Sequence, residues 1–295
     1  MSPRLAYLLA AIAAWLIAGA WCAGSVTAEP AACAGLEEGP TRSVARIIDG
    51  ETVALDDGTE LRLVGALSPR AADVGAAPGT WPAEAAAVAE LTALVLGRSV
   101  VLRFGGERSD RYGRLQAQAF LRQGAELRWV QGHLLDQGLA RAYTQAGNRA
   151  CSAALLAAEA TARRERRGLW ADAAYRPRRA ERAHELARLA GTFQVVEGRL
   201  VRVKQIRGVL YLDFAGAWPR AFSASLRARE LAALGGGPDP KALEGRRVRV
   251  RGWIVGRRGP AVDLSAAGLI ELLDAAPPGP LAPERKPPGL AETGR

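Results

Sequence analysis

Residues 46–70 limit what this chain can fold into more than any other stretch. Two short β-branched or apolar runs, residues 44–48 and 52–55, are followed by Asp57-Gly58 and a return run at residues 60–64. Runs of that length with turn residues between them read as strands. Asp-Gly makes a tight hairpin because glycine takes φ > 0 without steric cost. The pattern predicts a small antiparallel ribbon with Asp49, Glu51 and Arg62 on or beside it.

Further along, Asp110-Arg111-Tyr112-Gly113-Arg114 sits between two strand-like runs, residues 99–104 and 114–121. Residues 68–82 are rich in Pro and Gly and read as a loop. Apolar residues at three- and four-residue steps predict helices over residues 83–96, 129–137 and 150–167, with Gly97 and Gly138 closing the first two. Arginines crowd the last turn of the third, where cations suit the helix dipole.

The ribbon, the strand and loop Arg62-Leu63-Val64-Gly65-Ala66-Leu67-Ser68-Pro69-Arg70, and the Asp-Arg-Tyr-Gly-Arg motif together resemble the staphylococcal-nuclease (thermonuclease) family. The resemblance covers roughly residues 43–170 and includes a terminal Gly168-Leu169-Trp170. It implies a mainly β fold with some α (α+β): a five-stranded barrel of the OB type, whose strand face and loops bind oligonucleotides. It also implies phosphodiester hydrolysis by a calcium ion, two arginines and a glutamate. The catalytic arginines fall on Arg62 and Arg114, and a guanidinium fits a phosphate bidentately.

The carboxylates depart from the family's pattern. The first calcium carboxylate falls on Glu51, where the family has Asp. The second falls on Leu67, which cannot bind a metal, and the general base falls on Arg70, which cannot accept a proton. Ca²⁺ takes about 6–8 oxygen ligands, so Glu51 alone makes a weak calcium site and no cofactor is expected. Loss of a positioned base removes about 10²–10⁴ in rate. Asp73, three residues past Arg70, is the one replacement carboxylate on the loop.

The rest of the chain divides by composition. Residues 43–172 form the nuclease-like domain, and 173–190 a basic linker, helical from Arg178 onward. Residues 191–274 are expected to be a second OB-like β domain, and 275–295 a proline-rich disordered tail. In the second domain Arg247, Arg249 and Arg251 alternate with apolar residues, so one strand face reads as a row of guanidinium groups. Residues 191–273 hold fourteen Arg and Lys against seven Asp and Glu. The formal net charge of the whole chain is +10. Such a balance fits a nucleic-acid or other polyanion partner, and also the arginine-rich usage of a high-GC genome.

Residues 1–28 read as a signal peptide: Arg4, an apolar run, then Val26-Thr27-Ala28. An uncleaved membrane anchor over residues 5–24 is the alternative, and only then does the membrane become a partner. Residues 29–42 look like an irregular lead-in. Export to a periplasmic or secreted location leaves Cys33 and Cys151, an even pair in an oxidising compartment, and hence an expected disulfide. His133 and His184 stand alone and suit no metal site. The reading is an exported nuclease-family protein with a degenerate site that binds nucleic acid or another polyanion. A calcium-dependent endonuclease with a modified site, and an envelope scaffold that binds protein partners, are the alternatives.

Overall fold

The structure, a computed structural model, describes residues 33, 35–124, 126–216, 221–231, 239–256, 259–267 and 269–274. The expected signal peptide and proline-rich tail lie outside these residues.

The first domain is built on β1 (Glu37–Asp49), β2 (Thr52–Leu55), β3 (Glu60–Leu63), β4 (Ala66–Leu67), α1 (Pro82–Val95), β5 (Ser99–Phe104), β6 (Leu115–Gln123), β7 (Glu126–Trp129), α2 (Val130–Asp136), β8 (Arg141–Ala142) and α3 (Ser152–Glu165). The predicted hairpin is present, with Gly58 at φ 82° between β2 and β3. β1 pairs with both β2 and β5, β5 pairs with β6, and β6 runs parallel to β3 through Leu61↔Leu115 and Leu63↔Ala117. That last pairing closes a five-stranded barrel. Leu61, Leu102 and Phe120 fill it, and Leu91, Leu134 and Leu155 from the three helices cap it, all at most 1% exposed.

β1 begins at Glu37, inside the expected irregular lead-in. Its register against β5 shifts between Glu38 and Thr41. That bulge accommodates Pro40, which has no N–H for a ladder. It also accommodates Gly39, where a Cβ would lie 2.5 Å from the Phe104 ring. Cys33 and Cys151 are bonded, pinning the entry of β1 to the start of α3 across 118 residues.

The second domain comprises β9 (Arg178–Arg179), α4 (Ala183–Ala187), β10 (Phe193–Ile206), β11 (Val209–Phe214), β12 (Ser223–Arg227), β13 (Arg247–Trp253), β14 (Ala261–Asp263) and β15 (Leu269–Leu272). Its connections repeat the first. β10, β11 and β12 form a meander, β13 returns antiparallel to β10, and β14 lies parallel to β12. A bridge between Val255 and Ala261 joins the end of β13 to β14 and completes the ring. Where the first barrel inserts α1 between its third and fourth long strands, the described residues of the second hold two 3-10 turns, Ala228–Glu230 and Pro240–Leu243.

The expected basic linker contributes to this second domain. β9 adds parallel to β10, and Ala180 and Leu186 are fully buried in its core. Arg178 donates to the Ala174 carbonyl.

α3 is the seam between the domains. Its Glu159 is fully buried and faces Arg251 of β13, also fully buried, with Nη1 to Oε2 at 2.7 Å. Glu159 also accepts from the Ala142 N–H and pairs with Arg163. Beside this network Phe193, Trp253 and Tyr143 meet edge to face, their centroids 5.0–6.2 Å apart.

Candidate functional site

The site grows out of the β1–β2 turn. A Cβ on Gly50 would sit 2.1 Å from the Ser68 hydroxyl, so the turn and the loop after β4 meet only across glycine. The Asp49 carboxylate accepts the Glu51 N–H at 2.9 Å and holds the turn. Glu51 points inward and is fully buried.

Both Glu51 oxygens are engaged. Oε2 accepts the Ser68 N–H at 2.9 Å. Oε1 pairs with Arg62 Nη1 at 2.8 Å and with Arg70 Nη2. Arg62 comes from β3, directly opposite Thr52, and is 7% exposed. Its Nε has no hydrogen-bond partner among the described residues. The Arg70 guanidinium is nearly half exposed at the rim. Burial opposes its charge, but Glu51 and then Asp49 outweigh that and raise its pKa above the ordinary value. The residue in the general-base position is thus a firmly held cation over the carboxylate.

Leu67 is 4% exposed and packs against Tyr143 and Phe193, so the second metal-carboxylate position lies in an apolar contact between the domains. Asp73 is engaged by arginine and backbone on one oxygen. Its Oδ2 accepts from Arg141 Nη2 at 2.5 Å and from the Arg70 N–H at 3.1 Å. Arg141 in turn donates to the Phe193 carbonyl. The Tyr143 hydroxyl is pushed above its ordinary pKa by burial, against the opposing pull of neighbouring Arg62.

Arg114 lies on the loop leading into β6. It forms a two-point pair with Asp110, Nε at 2.8 Å and Nη2 at 2.7 Å. Burial pushes the Asp110 carboxyl up, but the Arg114 side chain and the Tyr112 and Arg114 N–H groups outweigh it and leave the pKa low. Arg111 and Arg114 both lie over the Tyr112 ring, which is two-thirds exposed.

These residues do not fit a calcium ion. One carboxylate already shared by two guanidinium groups, a leucine and an arginine cannot assemble the 6–8 oxygens that Ca²⁺ takes. Among the described residues no group of three or more His, Cys, Asp or Glu could hold a metal elsewhere. What the arrangement offers instead is guanidinium groups with N–H donors left over, suited to an anion.

The arginine row in the second domain is corrected by the structure. Arg247 is exposed, but Arg249 is held between Glu197 at 2.7 Å and Glu271 at 2.9 Å. Arg251 is fully buried between Glu159 and Glu271. Arg249 and Arg251 are therefore a structural clamp against Glu197, Glu159 and Glu271, while Arg247 at the start of β13 stays open to solvent. One signal was readable: Glu159 occupies a core position of α3, at helical spacing from Leu155 and Ala162. A buried carboxylate requires a cation. Arg141 and Tyr143 carried no such signal and emerged only from the geometry.

Residues 60–172 match the family model for staphylococcal nuclease homologues. The match includes Arg62, Leu67, Arg70 and Arg114 and begins after Glu51. No curated protein matches the chain. A barrel closed by the parallel β3–β6 pairing, with the two arginines at its β3 and β6 edges, agrees with that match: the chain carries a domain of the staphylococcal-nuclease family.

Proposed function

We propose that this protein binds nucleic acid or another phosphate polyanion through the first barrel, around Arg62 and Arg114, without calcium-dependent hydrolysis. The observation that carries this reading is the Arg70–Glu51 pair. It puts a permanent cation where hydrolysis needs a base, and it occupies the oxygen a metal would need. Arg114, partly exposed, has donors beyond its Asp110 pair, and Arg70 stands nearly half exposed, while the unpartnered Nε of Arg62 is buried. The buried Cys33–Cys151 bond supports export to an oxidising compartment.

The test incubates labelled single- and double-stranded DNA with the purified chain, in excess Ca²⁺ and then in chelator, and reads the same samples on a native gel. Retardation without cleavage, weakening steeply with salt as phosphate contacts release counterions, is expected. Chelator-sensitive cleavage lost in Arg62→Ala and Arg114→Ala overturns the reading. In the paired variant Leu67→Asp, Arg70→Glu, calcium-dependent cleavage is expected to appear if the scaffold is otherwise competent.

A further inference from the structure

Among the described residues of the second barrel, several cations without a carboxylate partner lie on its other side. The β10–β11–β12 register places side chains in rows on one outer face: Arg202, Asp213 and Ser223; Lys204, Tyr211 and Ser225; Ile206, Val209 and Arg227. Tyr211 stands 41% exposed in the middle row. It is shared by two adjoining clefts, of about 580 and 390 Å³. Val201 and Val255, each more than half exposed, line the larger one. Lys204, Arg207 and Arg227 are exposed, and none has a carboxylate partner among the described residues. This contrasts with Arg249 and Arg251, whose charges are neutralised in the clamp.

We propose that this trough is a second binding site, for single-stranded nucleic acid. A base stacks on Tyr211 between the valines, and backbone phosphates meet Lys204, Arg207 and Arg227. An accessible ring flanked by unpaired cations fits an unstacked base joined to a polyanion, and a duplex does not expose its base faces to such a platform. Ala146 of the first barrel borders the smaller cleft. Arg149 holds that segment in place by donating to the Leu264 and Ser265 carbonyls at 3.0 and 3.1 Å. The same segment begins at Tyr143, which lies against Arg62, so one loop touches both surfaces. The trough depends on no residue of the first-barrel site and stands or falls separately from it.

The test is fluorescence anisotropy with the full chain and a labelled oligothymidylate of about 16 nucleotides, against a duplex of equal length. Tyr211→Ala is expected to weaken single-strand binding about tenfold, and Tyr211→Phe, which keeps the ring, to leave it unchanged. Lys204→Ala and Arg227→Ala are expected to reduce the salt slope by about 0.7 for each phosphate that is no longer neutralised. Melting curves check that each variant folds. Wild-type affinity in Tyr211→Ala overturns the proposal, as does equal, Tyr211-independent binding of inorganic polyphosphate. If Arg62→Ala with Arg114→Ala abolishes binding while Tyr211→Ala does nothing, the first-barrel reading survives and the trough falls. The reverse pattern keeps the trough and removes the first barrel. Silence in every variant and in the wild type removes both.

Discussion

The two barrels share one strand order and use their arginines in opposite ways. In the first, Arg62 and Arg70 both pair with Glu51 beside the β1–β2 turn, and Arg114 pairs with Asp110 on the β5–β6 loop. In the second, the equivalent turn carries an exposed Arg207 at φ 49°, and the paired arginines have moved to the opposite face, against α3. The likeness in topology thus gives no guide to where charge is available. A cation placed by the same ladder becomes a ligand donor or a buried clamp according to what covers its face. The first barrel is also covered by three helices and tied by a disulfide, whereas the second has the short α4 and 3-10 turns and packs against α3 of its neighbour.

The largest expected effect breaks the comparison from the first-barrel side. Reducing the Cys33–Cys151 bond releases a loop of over 100 residues, worth about 4–5 kcal/mol in the chain-entropy model. Denaturant unfolding with and without reductant measures it, and the loss should appear in the transition of the first barrel. A somewhat smaller effect tests the seam. Arg251→Ala leaves the buried Glu159 with Arg163 as its one remaining cation and should cost about 3 kcal/mol, whereas Arg251→Met with Glu159→Gln should recover most of it. If the clamp couples the barrels, the single variant should also split one thermal transition into two, read by calorimetry.

The smallest effect concerns acid. Burial raises the Glu271 carboxyl, but Arg251, then Arg249 and Arg163, outweigh it and hold its pKa below the ordinary 4.5. Its contribution is therefore present above that value and drains away as the pH falls below about 4.5. Melting temperatures followed from neutral pH downward should show this loss, and Glu271→Gln should flatten the acid limb while lowering stability at neutral pH. A wild-type acid limb in that variant would place the titrating charge elsewhere, with Asp110 the first to examine.

Much of the first barrel was legible because its signals are local. Asp57-Gly58 makes its hairpin whatever surrounds it, and the strand and helix periods report a face directly. The mismatch at Leu67 and Arg70 was legible for the same reason, since neither side chain can do the expected chemistry in any fold. What those residues do instead was not. That Arg70 turns back onto Glu51, and that Arg141 claims Asp73, depends on a loop meeting a strand 68 residues away in sequence. The arginine row failed similarly. Alternation showed that Arg247, Arg249 and Arg251 share a face, which the structure bears out, but not which face water reaches. The start of β1 was hidden because Gly39 and Pro40 look like a break and are in fact a bulge. β9 was hidden because a two-residue strand has no period.

The Glu159–Arg251 pair has a consequence for how the protein is divided. The family match ends at residue 172, and a chain cut there would keep Glu159 in an apolar helix face with no guanidinium from β13. It would also leave Leu67 and Tyr143 without the Phe193 ring they pack on. A chain ending at residue 172 is therefore expected to melt at a lower temperature than the full chain, although the family match stops there.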